Sequence, residues 1–126
     1  MAYADTNRLD ILLKEYDYAS DADLVTEGCT QGDNHVDRFI NENIRDYTLP
    51  TPTPQDFIDA ATLFTASAIL DILLSNQAQR SPAAVKWEEE ALEILRGYVD
   101  QYLSDNDDSS NRGATIRFLT VTGAED

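Results

Sequence analysis

Few residues in this chain could do acid–base, nucleophilic or metal chemistry, and their spacing does not join them. His35 is the only histidine and Cys29 the only cysteine. One histidine can supply neither a zinc-binding pair nor an HExxH helix. Cys29 stands beside Gly28, six residues before His35, whereas a nucleophile and its base normally come from distant segments. Cys29 is therefore not expected to be an activated thiol, and His35 is expected to be structural or solvated. With one cysteine no intrachain disulfide can form, which fits a reducing compartment. Asp105, Asp107 and Ser109 imitate the first ligands of a calcium loop. However, position six is Ser110 instead of glycine and position twelve is Ile116 instead of glutamate. That stretch reads as a solvated linker. Paired carboxylates such as Asp107–Asp108 carry no catalytic meaning in so acidic a chain, and no glycine-rich phosphate loop is present. No catalysis, cofactor or metal is expected.

The residues that suggest chemistry of a different kind suit binding. The segment ATIRFLTVT near the C-terminus is β-branched and aromatic, the composition of a strand. Ile116, Phe118 and Thr120 would face one way, with Arg117, Leu119 and Val121 on the other side. A lone strand leaves its backbone groups unpaired unless another edge is supplied. It must dock on its own domain or add to another chain. Ile116, Phe118, Leu119 and Val121 would anchor it, with Arg112 and Arg117 pairing with acids. Trp87 lies on the acidic side of a helix. It either packs on the flank of the core or anchors a subunit interface, where tryptophan is enriched.

The charge balance narrows the partners. The 126 residues carry 24 acids against 9 cations, a net charge of −15. Sixteen acids are aspartates, and Lys14 and Lys86 are the only lysines. Duplex DNA is held by clustered lysine and arginine, and the seven arginines here are scattered among acids. Nucleic-acid binding is not expected. Charge of this density destabilises a compact state through self-repulsion, which salt relieves. An aspartate-rich, lysine-poor surface points to a salt-loaded cytoplasm such as that of a haloarchaeon, against the alternative of an ordinary acidic mesophile. No run of eighteen apolar residues is present, so no membrane span is expected. The opening MAYADTNRLD lacks the basic-then-apolar layout of a signal peptide.

The elements that must position these residues are helical. A first helix is expected over about residues 6–16, capped by Asp5 or Thr6, with Leu9, Leu12, Leu13 and Tyr16 on one face. Residues 16–34 read as loop from their Asp, Ser and Gly content, with a short helical turn near 21–25. A second helix is expected over 33–47, with Val36, Phe39, Ile40, Ile44 and Tyr47 at helical spacing. Pro50 pushes Leu49 out of the α region and ends it. Pro50, Pro52 and Pro54 hold an extended joint, and Thr53 is a ready cap for Pro54. The third helix, about 54–77, is apolar over most of its surface and should be central. Its small residues Ala60, Ala61, Ala66, Ser67 and Ala68 permit close approach. The fourth runs from Ser81–Pro82 to about Leu103, with Val85, Ala91, Leu92, Leu95, Val99 and Tyr102 inward and Glu88, Glu89, Glu90 and Glu93 wet. The expected architecture is all-α: a small bundle of about four helices over residues 1–104, then a linker and extended, strand-like arm over 105–126.

A helix, a Tyr47-Thr48-Leu49-Pro50 turn and an alanine-rich helix in this order resemble the head–tail connector (adaptor) proteins of tailed viruses. The likeness covers about residues 9–103 in its order of elements. It implies a non-catalytic protein in the virion neck, made in the host cytoplasm. Such a protein forms a dodecameric ring that binds the portal protein above and a further neck or tail-completion protein below, and a terminal segment grips the portal. DNA would pass through the channel without specific binding, and an acidic wall suits that passage. The TPTP joint and the strong acidity depart from the common pattern. The competing expectation is an acidic helical protein-interaction or regulatory module of a halophilic archaeon.

Overall fold

The computed structural model describes residues 3–106. It holds four helices: α1 (Thr6–Leu12), α2 (Ala22–Asn43), α3 (Gln55–Leu73) and α4 (Pro82–Asn106). Among the described residues there is no strand, and the fold is an all-α bundle. Residues 107–126 lie outside the described residues. They include the expected linker and the arm with Arg112, Ile116, Arg117, Phe118, Leu119 and Val121.

α3 is the hub, as its composition predicts. Every residue from 60 to 70 is buried, whichever side of the helix it occupies. α2 and α4 flank it and α1 packs along it. Gly28 faces Ile69 while Gly32 faces Thr65 and Ala61, so α2 runs antiparallel to α3. The Ser67 hydroxyl meets the Ala84 carbonyl, and Phe57 meets Tyr98. α4 is therefore antiparallel to α3 as well.

The largest departure from the sequence expectation is α2. It begins at Ala22, so residues 22–34 of the stretch read as loop are helical, while residues 16–21 are loop as expected. Asp21 starts it, its carboxylate accepting from the Leu24 N–H at 3.1 Å. Gly28 and Gly32, read as loop signals, lie on the buried face. A Cβ on Gly28 would sit 2.5 Å from Ile69 Cγ1; one on Gly32 would sit 2.3 Å from Thr65 Oγ1 and 2.9 Å from the Ala61 carbonyl. Glycine costs a helix about 1 kcal/mol against alanine, and here the backbone contact offsets that cost. Leu24, Gly28, Gly32, Val36, Ile40 and Ile44 are all buried and recur every fourth residue. This row meets Ala61, Thr65 and Ile69, a row of the same spacing on α3, as ridges pack into grooves.

The remaining boundaries move by a few residues. α1 stops at Leu12, short of the expected Tyr16. The chain reverses there so that buried Tyr18 can donate its hydroxyl to Asp10. Leu9 and Leu13 are still buried. α2 ends at Asn43 and not at Tyr47, because Ile44 is already extended and Asp46 adopts a left-handed φ of 54°. α3 is capped by Pro54, without a side-chain bond, in place of Thr53. It stops at Leu73 instead of Gln77. α4 continues to Asn106, past the expected end near Leu103. The Gln101 amide donates to Asp105 one turn on, at 2.8 Å, and supports this last stretch.

Candidate functional site

The end of the bundle that carries the Tyr-x-Leu-Pro turn is built from aromatic rings on three segments. Once α2 has ended, the left-handed turn at Asp46 sends Tyr47 back across the bundle. Its ring lies 5.9 Å from that of Phe57 on α3, and 6.3 and 5.3 Å from those of Tyr98 and Tyr102 on α4. The Tyr47 and Tyr98 hydroxyls are 2.7 Å apart and hydrogen-bonded. Phe57 is fully buried beneath them and takes the edge of Tyr98 at 4.9 Å and of Tyr3 at 6.0 Å. Edge-to-face pairs of this kind favour fixed geometry. The proline joint of residues 50–54 is thus tied at one end by Tyr47 and at the other by the first turn of α3. Burial pushes the Tyr47 hydroxyl pKa well above its ordinary value, and its hydrogen bond with the Tyr98 hydroxyl adds to the shift.

The N-terminal segment closes the same end. The Tyr3 N–H donates to Asp33 at 3.0 Å, and its hydroxyl to Asp37 at 2.7 Å. Both acceptors are on α2. Burial, then the Asp37 bond, raise the Tyr3 hydroxyl pKa. The Asp5 N–H donates to Thr62 on α3 at 2.9 Å, while the Asp5 carboxylate caps α1.

Beside the tyrosines an open groove of about 300 Å³ runs between the start of α3 and the last turns of α4. Asp56, Tyr98, Gln101, Tyr102 and Asp105 line it. The Tyr98 and Tyr102 rings are stacked, 6.3 Å apart at 26°. Asp105, singled out as a mimic of a calcium-loop ligand, is helical.

The opposite end is held by Arg80. Its guanidinium contacts Asp71 at 2.9 and 3.2 Å, Glu88 at 2.8 Å and the Ser67 hydroxyl at 3.2 Å. Ser67, buried, donates onward to the Ala84 carbonyl at 2.8 Å. Arg80 therefore joins α3, the turn and α4. Its own pKa is raised by the Asp71 and Glu88 bonds. Nothing in the residue pattern marks this node, since Arg80 sits in NQAQRS, a stretch that reads only as a break.

The other singled-out residues lie apart. His35 is exposed on α2 with its ring stacked on Phe64 at 4.9 Å. Cys29 is half-buried; desolvation, then Asp33, push its thiol pKa up, which keeps the thiol protonated at neutral pH. Trp87 is half-buried and packs against both halves of the core, one around Leu9, Leu13 and Ile69, the other around Phe57, Phe64 and Leu95. Glu89, Glu90 and Glu93 are exposed, as expected. Among the described residues no three His, Cys, Asp or Glu side chains are grouped to hold a metal ion, and no helix is long and apolar enough to cross a membrane. Compared with protein-family models, with curated proteins and with solved structures, the chain gives no match.

Proposed function

We propose that this chain is a structural head–tail connector of a tailed virus with a haloarchaeal host. In this reading it forms a dodecameric ring below the portal, joins capsid to tail through a further neck protein, and lines the DNA channel. The observation that carries the reading is the joint: α2, the Tyr47-Thr48-Leu49-Pro50 turn, a proline-stiffened link and then a small-residue hub helix. A ring subunit must hold the angle between its helices against neighbours, and Tyr47 with three prolines provides a stiff corner. The acidic surface suits a channel wall that repels the phosphate backbone, since adhesion would need clustered cations. Residues 115–121 supply the strand-forming sequence that would pair with an exposed edge on the portal.

Deleting residues 107–126 tests this. The shortened chain is expected to keep its helix content, by circular dichroism in molar KCl, and to lose co-sedimentation with the portal. Unchanged co-sedimentation would remove the arm from the attachment, and absence of portal binding by the full chain would overturn the connector reading. Salt gives an independent check of the host. The melting temperature is expected to climb from dilute buffer to molar KCl as screening removes repulsion. A flat or falling series would contradict a salt-loaded cytoplasm.

A further inference from the structure

We propose that the groove between α3 and α4 is the docking site for the chain's own residues 109–124, with the Arg112 guanidinium seated between Asp56 and Asp105 against the Tyr98 and Tyr102 rings. The groove has the parts that recognise a guanidinium. Two carboxylates reach it from different helices, and stacked phenol rings form part of its wall. A guanidinium is attracted to aromatic faces through the ring quadrupole and binds carboxylates through a fixed fork of donors. Asp56 has no ion-pair partner among the described residues. The Gln101 amide already orders Asp105 on the other rim.

The occupant follows from where the described chain ends and from its charge. The described chain ends at Asn106, one residue beyond the groove residue Asp105. Residues 109–124 contain Arg112 and Arg117 and no acid, in a protein of net charge −15. Arg112 is six residues past Asn106, a reach of about 20 Å when extended. Returning from Asn106 to the level of Tyr102 needs only about 6 Å along the helix. A tether this short gives an effective concentration in the millimolar range, so in dilute protein the chain's own arm outcompetes that of another copy. The docked arm covers its strand-forming residues until a partner edge displaces it. This inference goes beyond the connector reading and stands without it, because the arrangement belongs to the free protein.

The test uses the full chain, labelled with nitrogen-15, in moderate salt and without any portal. Arg112→Gln is expected to shift the backbone amide signals of Asp56, Gln101 and Tyr102 while leaving those of Leu24 and Val36 in place. It is also expected to lower the heteronuclear NOE of residues 110–118. Asp56→Asn, which keeps the shape of the groove, should reproduce the loss of order, and the charge swap Asp56→Arg with Arg112→Asp should restore it. Shifts confined to residues 109–115 on Arg112→Gln would overturn the proposal. So would wild-type groove signals that move on dilution, which would assign the occupant to a second copy.

Discussion

The two faces of α3 are closed by different means. Toward α2 the contact is one of backbones. Gly28 and Gly32 bring the helix so close that the Ala61 carbonyl lies 2.9 Å from where a Gly32 Cβ would be. The Thr65 hydroxyl is trapped in this seam, buried without a hydrogen-bond partner among the described residues. Toward α4 the contact is one of side chains. Ala84, Ala91, Leu95 and Val99 are buried on α4, and the polar atom in this seam, Ser67 Oγ, has both a donor and an acceptor. A helix buried on every side must find a partner for each face. Here steric intimacy tolerates an orphaned hydroxyl on one side, and a satisfied polar bridge sets the register on the other.

Substitutions at these seams should therefore differ in sign as well as size. Gly32→Ala is the most damaging single methyl. Alanine's helix propensity returns about 1 kcal/mol, but backbone must move, and a net loss of about 2–3 kcal/mol is expected in urea melts. Adding Thr65→Ala should recover part of it by removing the nearest atom. Gly28→Ala should cost less, since the atoms it meets are those of the Ile69 side chain. If Gly32→Ala were neutral, the close α2–α3 contact would be wrong. Ser67→Ala in the other seam should cost about 1–2 kcal/mol, the usual result of breaking a buried hydrogen bond. An unchanged melt would mean the Ser67 bridge contributes nothing.

Gly97 is the control for both. It is helical and exposed, with nothing within 4 Å of an added Cβ. Gly97→Ala should raise stability by about 1 kcal/mol, opposite in sign to Gly32→Ala although the chemical change is identical. The smallest effect is expected for Thr65→Val, which keeps the branched shape and removes the unpartnered hydroxyl. A gain of about 0.5 kcal/mol is expected, whereas a clear loss would show that the hydroxyl has a partner.

The sequence carried the fold class and the hub because both rest on apolar composition and helical spacing. The buried stretch of residues 60–70 follows from a helix apolar all round, and Pro82 marks the start of α4. The first half of α2 was hidden because glycine has two opposite uses. By propensity Gly28 and Gly32 break a helix; in a seam they are what lets two helices touch. The four-residue row from Leu24 to Ile44 would have exposed the helix, had glycine been counted as a packing residue alongside Val36 and Ile40. Tyr47 was identified, but as the last residue of a helical face, since a left-handed aspartate at Asp46 has no mark in sequence. Arg80 could not be found, because its partners Asp71, Ser67 and Glu88 are assembled only by the α3–α4 turn. The groove was equally hidden, for Asp56 and Asp105 are far apart in the chain.

The connector reading is tested most directly by cryo-electron microscopy of purified particles carrying this chain, with the neck classified without imposed symmetry. The account predicts the four-helix body repeated around the channel in a dodecameric ring directly below the portal, with the proline joint at a corner between neighbouring subunits. A fully occupied neck in which this body is nowhere present, with the chain recovered only outside the particle, would contradict it.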